Sequence, residues 1–137
     1  MRDIDAKREI RKLIETFTSK AIKKEHFQFQ NQPLEGGKPF TPPHNEIWAQ
    51  VSFGGGDKRI VGLADKPCTR TTGMLFIQLF APRNTGTDSA LIVAEKLAEH
   101  VQFYRIGGLE LQASSVIEVP NNPDFYQENV HTPYTVN

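Results

Sequence analysis

The chain has 137 residues, of which 38% are hydrophobic and 23% charged, and its formal net charge is zero. This length predicts a single domain over residues 1–137, with a core that needs neither disulfides nor metal. No apolar run is long enough to cross a bilayer. The first residues show no secretory leader and Cys68 is the single cysteine, so we expect a protein of a reducing cytoplasm or of a particle assembled there.

The charge is distributed unevenly along the chain. Residues 1–24 hold eight basic and four acidic side chains, which leaves this segment at +4 and the rest of the chain at −4. A basic helix can contact nucleic acid or an acidic partner, whereas a solvated helix face is the simpler interpretation. A neutral domain is a poor candidate for a dedicated DNA-binding protein, because contacts with phosphates dominate that affinity.

The first predicted element is a helix over residues 3–24. Its apolar side chains recur every three or four residues and form one stripe, and most charged side chains lie away from that stripe. Acidic residues begin the segment and lysines end it, as the helix dipole favours. The stripe consists of Ile10, Leu13, Ile14, Phe17 and Ala21.

Two alternating stretches follow, separated by a long loop. Residues 26–30 predict a short strand with Phe27 and Phe29 facing inward. The loop over residues 31–45 is rich in proline and glycine, and we expect it to become ordered on assembly. Residues 47–53 predict a strand with two unlike faces that ends at the glycines 54–56. Residues 58–63 fit either a short strand or an excursion.

The clearest predicted strand covers residues 69–80. Between Met74 and Phe80 only Gln78 is polar, and a strand that is apolar on both faces should be central and covered on both sides. One face needs a cover besides the core. A second helix, the long loop or a neighbouring subunit can supply it.

The rest of the chain predicts a helix over residues 87–102 and strands over 109–119 and 125–136. A turn at residues 81–86 precedes that helix. The polar character of the last strand favours a sheet edge or an interface. The order of elements predicts an α+β fold, in which a central, mostly antiparallel sheet of four to six strands packs against the two helices on one face.

No constellation of side chains predicts catalysis. His26, His44, His100 and His131 lack metal-ligand spacing, and no motif pairs Cys68 with a base. The glycines at 54–56 lack the spacing of a phosphate-binding loop. The start of the second helix can hold an anion, but a plain helix cap explains it equally well. We therefore predict no enzymatic activity, no cofactor and no metal site.

Ten short motifs follow one another in a fixed order along nearly the whole chain. They are Phe40-Thr-Pro-Pro43, Trp48-Ala-Gln-Val51, Gly54-Gly-Gly56, Arg70-Thr-Thr-Gly73, Met74-Leu-Phe-Ile-Gln-Leu-Phe-Ala-Pro82, Asn84-Thr-Gly-Thr87, Asp88-Ser-Ala-Leu-Ile-Val-Ala-Glu-Lys-Leu-Ala98, Gly107-Gly108, Phe125-Tyr-Gln-Glu-Asn-Val130 and Pro133-Tyr134. This order resembles the tail terminator proteins of long-tailed bacteriophages, a family first catalogued as a phage-related domain of unknown function. The sequence departs from that pattern in a longer stretch at residues 61–69 and in a turn at 121–122 without glycines.

The resemblance implies a structural role in the virion tail. Tail terminators of this type form a ring, usually a hexamer, on the head-proximal end of the tail tube, where they stop tube polymerisation and join the tail to the head connector. The implied partners are further copies of the chain, the tail-tube protein and the head–tail connector protein, with DNA only passing through the lumen and no membrane involved. Assembly would occur in the cytoplasm of the host bacterium.

Two alternatives remain beside this interpretation. One is a different virion protein of similar fold, such as another connector, a head-closure protein or a tail-tube subunit. The other is a small enzyme or ligand-binding domain, against which the lack of a polar constellation argues. Prophage and active phage are both possible sources.

A ring subunit presents two different patches that mate head to tail. Aromatic residues dominate such contacts, and basic residues can line a lumen through which DNA passes. A core position is the simpler interpretation for each aromatic candidate, and plain exposure is the simpler one for each basic candidate. The candidate interface residues are Phe40, Trp48, Tyr126, Lys58, Arg59 and Arg83.

Overall fold

A computed structural model describes residues 1–30, 41–43, 45–60, 69–84, 86–120 and 122–137, and for residues 56–60 it describes the backbone alone. These residues form two α-helices, a short 3-10 helix at Lys24–His26 and seven strands. The helices are α1 (Asp3–Glu15) and α2 (Asp88–Val101). The strands are β1 (Phe27–Phe29), β2 (Trp48–Ile60), β3 (Thr69–Pro82), β4 (Arg105–Ile106), β5 (Leu109–Leu111), β6 (Ser115–Val119) and β7 (Phe125–Val136).

The strands form one sheet in the order β1-β2-β3-β7-β5-β4, and β6 pairs with β7 beyond the end of β5. Every pair is antiparallel except β1 with β2. The predicted α+β class is confirmed. The described residues contain seven strands because the segment predicted as one strand over 109–119 is interrupted at residues 112–114, and because the two-residue β4 pairs with β5.

Both helices pack on the same face of the sheet, as predicted. On that face β3 places Leu75, Ile77 and Leu79, all with no exposed surface. They share one apolar cluster with the stripes of the two helices and with alternate residues of β2 and β7. Burial of apolar surface of this kind is the main stabilising contribution to such a fold. The cluster also includes Ala6, Ile10, Ile14, Ala49, Val51, Val93, Ala94, Leu97 and Val130.

The start of α1 is held by Asp5. Its Oδ2 accepts hydrogen bonds from the backbone N–H and from Nε of Arg2, both at 3.2 Å. These hydrogen bonds from Arg2 lower the pKa of the Asp5 carboxyl. The arrangement satisfies a helix-terminal donor and places a carboxylate near the positive end of the helix dipole.

α1 ends at Glu15, so the predicted helix over 3–24 is wrong in its second half. The Thr16 hydroxyl donates to the carbonyl of Leu13 at 2.6 Å, and Nε2 of His100 in α2 lies 2.8 Å from the same carbonyl. Threonine and serine side chains compete with helical hydrogen bonds in this way. Thr18 and Ser19 follow and continue the break, because their helix propensity is low.

β7 is an inner strand, so its predicted place at a sheet edge is wrong. It pairs with β3 over its whole length on one side and with β5 and β6 on the other. Its polar side chains that face the helices have partners within the chain. Thr132 shares a hydrogen bond with Ser114 at 2.7 Å, and Glu128 accepts one from Tyr126 at 2.6 Å. Satisfied polar groups can be buried at little cost.

The other predicted elements are confirmed, with shifts at their ends. The strands at 26–30, 47–53 and 69–80 correspond to β1, β2 and β3, and the helix at 87–102 corresponds to α2. β2 continues past the glycines to Ile60 with a bulge between Gly54 and Asp57, so the predicted end of this strand at residues 54–56 is wrong, and the first part of the segment 58–63 belongs to a strand. Most of the predicted loop at 31–45, and residues 61–68, lie outside the described residues.

Candidate assembly surface

The sheet face turned away from the helices, here called the helix-free face, is built from alternate residues of β2, β3, β6 and β7. From β3 it receives Met74, Phe76, Gln78 and Phe80. The first three are half-buried, and Phe80 is 8% exposed. Neither helix covers this second face of β3. The apolar side chains on this face are therefore those for which the sequence predicts a cover by a second helix, the long loop or a neighbouring subunit.

One end of the helix-free face is aromatic. The rings of Trp48 and Phe80 are stacked with their centroids 4.2 Å apart. Phe125 contacts both of them edge-on, at 5.5 Å and 5.8 Å. Trp48 keeps only 7% of its surface exposed. This predicted interface anchor is thus placed inside a cluster of its own chain, at the end of the sheet where β2 begins.

The middle of the helix-free face is polar. Gln50, Gln78 and Asn129 lie opposite one another across three neighbouring strands. Gln127 donates from Nε2 to Oδ1 of Asn129 at 2.9 Å, and all but one of these amides are half-buried. Amide groups beside aromatic rings are typical of protein–protein interfaces, whose polar groups form hydrogen bonds across the contact.

Arg83 lies in the turn that follows β3 and is exposed. Its Nη1 donates to the carbonyls of Asn122 and Pro123, both at 2.7 Å. The side chain therefore ties the end of β3 to the turn that precedes β7. A guanidinium presents several donors in a rigid plane, which suits two carbonyls at once.

Tyr126 lies on the helix-facing side of β7 and is half-buried. Its hydroxyl donates to Oε1 of Glu128 at 2.6 Å, and Glu128 is 3% exposed. This hydrogen bond, followed by burial and nearby carboxylates, raises the pKa of Tyr126 far above its ordinary value. The residue thus has a structural partner within the chain.

The predicted interface residues divide between the two ends of the sheet. Trp48, Arg83 and Tyr126 lie at the end where β3 stops and β7 starts. The backbone of residues 58 and 59 lies at the other end, opposite Thr71 and Arg70. The side chains of those two residues, and the whole of residue 40, lie outside what the structure describes.

Sequence reasoning missed Phe103. This side chain is 65% exposed, and its backbone has a φ of 63°, in the left-handed region. That conformation costs a non-glycine residue roughly 1–2 kcal/mol. The usual residue after a helix is glycine, so a phenylalanine two positions after the end of α2 was a readable signal. Ile106 and Ile117, 38% and 44% exposed, are further apolar surface residues near the sheet edge.

A polar cavity of about 270 Å³ lies at the start of α2, lined among others by Lys20, Lys23, His26 and Glu46. Glu46 pairs with Lys23 at 3.2 Å and with His26 at 3.3 Å, so much of the local charge is neutralised. Within the described residues, no group of histidine, cysteine and carboxylate side chains is arranged to hold a metal ion. No described helix is long and apolar enough to span a bilayer.

Comparison with known proteins gives one family and one fold. A family model described as phage tail terminator protein matches residues 14–133. A solved structure aligns over 100% of this chain and 97% of its own chain, with a TM-score of 0.58 and 19% identity. It is one of five matching chains of solved structures, and it shows a shared fold. No curated protein matches the sequence.

Proposed function

Because this chain belongs to the phage tail terminator family, we propose that it caps the head-proximal end of the tail tube, stops tube polymerisation and forms the surface that joins the tail to the head. The family is one of structural phage tail proteins. The match over residues 14–133 carries the proposal, since it begins at the end of α1 and spans all of α2 and nearly all of the sheet. In this proposal residues 1–137 act as one domain that performs no catalysis.

The proposal includes a ring of identical subunits, of which a hexamer is the expected form. A closed ring needs two different surfaces on each subunit, because every contact is head to tail. Its partners are the tail-tube protein on one side and the head–tail connector protein on the other. DNA passes through the lumen without being bound. The chain is assembled in the host bacterial cytoplasm and ends in the virion tail.

The helix-free face supports an assembly role. Its aromatic end and its half-buried amides are the composition of an interface, whereas a sheet face that stays in water is usually polar throughout. The face leaves Met74 and Phe76 partly exposed. Contact with a neighbouring molecule would remove this surface from water, and each residue so buried would stabilise the assembly.

Deletion of the gene in its phage tests the proposed function. Without a terminator, electron micrographs should show tubes of widely varying length and no attached heads, and the plasmid-borne chain should restore both. Tubes of normal length that fail to join heads would overturn termination and indicate a connector. A complete absence of tubes would also overturn it and indicate a tube subunit or an initiator.

A further inference from the structure

Charged side chains of α2 are segregated between its two sides. Nε2 of His100 lies 2.8 Å from a carbonyl of α1, which marks the side that faces α1. Oε1 of Gln102 accepts a hydrogen bond from the backbone N–H of Ser114 at 3.3 Å, which marks the opposite side. Since successive residues turn by about 100°, Glu95 and Glu99 lie within about 60° of Gln102 around the helix. Both are exposed on the side remote from α1.

Two further carboxylates join Glu95 and Glu99 on this side. Asp88 begins α2, and Glu118 is exposed on β6. Asp88 precedes Glu95 by seven residues, about two helical turns, and so lies on the same side of α2; Glu118 pairs with Glu128 on the helix-facing side of the sheet. We call this set the acidic flank: Asp88, Glu95, Glu99 and Glu118. Within the described residues none of the four forms an ion pair; Arg83 lies close to Glu118, and Lys96 follows Glu95 on the side of α2 that is nearer to residues 18–21.

The opposite side of the molecule is basic. Nζ of Lys7 lies 5.5 Å from the ring centroid of Phe53 in β2, which identifies the side of α1 that faces the β1 end of the sheet. Arg8 and Arg11 follow on that side and on the outer surface. Exposed Lys24 continues it after α1 ends, beside β1. We call this set the basic flank: Arg8, Arg11 and Lys24. Glu15 and Glu25 offset part of its charge.

Each flank ends at an outer strand of the described sheet, with an apolar group beside that strand. Among the described residues no strand pairs with the outer edge of β1 or of β6. Phe27 and Phe29 of β1 line an apolar groove of about 70 Å³ together with Phe17 and Lys24. At the β6 edge Ile117 is 44% exposed on the helix-free face, and Glu118 lies on the helix-facing side of the same edge. Each flank therefore combines charge with apolar surface, as a specific interface does.

We infer that a second copy of this chain docks head to tail, with the acidic flank of one copy against the basic flank of the next. The inference deepens the proposed ring function and rests on it. Opposite charges on the two flanks favour this contact, whereas acidic against acidic or basic against basic repels. When subunits join through two unlike flanks, the row that they form has a free acidic flank at one end and a free basic flank at the other. Further subunits can therefore be added until the two ends meet and close a ring.

Charge reversal on each flank tests the contact. In the deletion phage, chains carrying Glu95→Lys and Glu99→Lys should reduce infectious yield by about tenfold or more, and so should chains carrying Arg8→Glu and Lys24→Glu. Co-expressed, the two variants should restore the yield to within about threefold of wild type. In a ring with an even number of subunits the two variants can alternate. Each acidic flank that has become positive then meets a basic flank that has become negative, and the remaining contacts join two unchanged flanks.

The matched control is Glu110→Lys with Asp124→Lys, which changes the net charge equally but lies outside the acidic flank; its yield should match wild type. Misfolded chains cannot restore each other, so recovery on co-expression also excludes misfolding. Single-flank variants that match wild type, or well-folded variants that fail to complement each other, overturn the inference. Normal tube length in the deletion phage would instead overturn the proposed function, because that measurement does not depend on which flanks meet.

Discussion

The two faces of β3 have nearly the same hydrophobicity in sequence and very different environments in the fold. On the helix-facing side Leu75, Ile77 and Leu79 have no exposed surface. On the helix-free side Met74 and Phe76 are half-buried beside an amide row. The difference shows that an apolar strand face in the sequence predicts burial, but that the sequence does not predict whether a helix of the same chain or a neighbouring molecule buries it. A core fills one face, and the composition of the other suits a neighbouring molecule.

Truncation of adjacent residues of β3 gives the largest expected contrast between the two faces. Leu75→Ala should lower the free energy of unfolding by about 2–5 kcal/mol, because it leaves a cavity in the core. Met74→Ala, on the half-buried face, should cost about 1 kcal/mol or less. Denaturant unfolding of the two variants measures both values. Equal losses would show that the helix-free face is packed as tightly within the monomer as the core.

Two glycines sharpen the same comparison. A Cβ at Gly73 would lie 2.4 Å from Cζ of the buried Tyr134 on the helix-facing side, and one at Gly54 would lie 2.6 Å from Cε2 of Phe76 on the other. Tyr134 is 3% exposed, so Gly73→Ala should destabilise the fold by about 1–3 kcal/mol. The half-buried Phe76 ring has room to move, and Gly54→Ala should cost less. Thermal melts compare the pair; the reverse order would contradict this account.

The aromatic end of the helix-free face should contribute a smaller amount. Phe125→Leu removes the edge-on contacts with Trp48 and Phe80 and should cost about 1 kcal/mol. Trp48 is the single tryptophan, so its emission should shift to longer wavelength as the cluster loosens. Phe103→Leu is the control, since that ring is 65% exposed and its backbone strain is unchanged. An unchanged Trp48 spectrum in Phe125→Leu would contradict the cluster.

The smallest effect at neutral pH concerns a tyrosine of the helix-facing side. Burial and the nearby Asp3 raise the pKa of Tyr134 to about 12. The fold thus favours the neutral phenol, so this stabilisation is complete below about pH 10 and is lost as the pH rises from there towards 12. Unfolding midpoints between pH 9 and 12 measure the loss. Tyr134→Phe cannot ionise and should lose less stability over that range; an equal loss would exclude Tyr134 as the cause.

The sequence predicted most of the elements because their cause is local. Alternation predicted β1 and β2, a continuous apolar run predicted β3, and the three- to four-residue stripe predicted α2 and the first half of α1. The end of α1 escaped prediction because Thr16 and the distant His100 set it together. The inner position of β7 escaped for a similar reason: Glu128 and Thr132 appear unfit for the interior until their partners Tyr126 and Ser114 are known.

The candidate surface was predicted less well than the fold. The sequence identified Trp48 as a candidate interface residue. Its stacking on Phe80 could not be predicted, because that contact depends on the register between β2 and β3. The acidic flank is a property of helix rotation and of strand order, and it combines residues that are far apart in sequence. The net charge of residues 1–24 was the single part of this pattern that the sequence exposed.

The interruption between β5 and β6 divides one edge of the sheet into two units of different local stability. β5 is anchored by Leu109 and Leu111, both 1% exposed, whereas Ser115, Ile117 and Glu118 of β6 are exposed, and among the described strands β6 pairs with β7 alone. Local opening in proteins is easiest where few buried contacts must break. We therefore expect the backbone amides of β6 to exchange with solvent more readily than those of β5. β6 carries Glu118 of the acidic flank, so docking of a neighbouring subunit on that flank would reduce the motion of this strand.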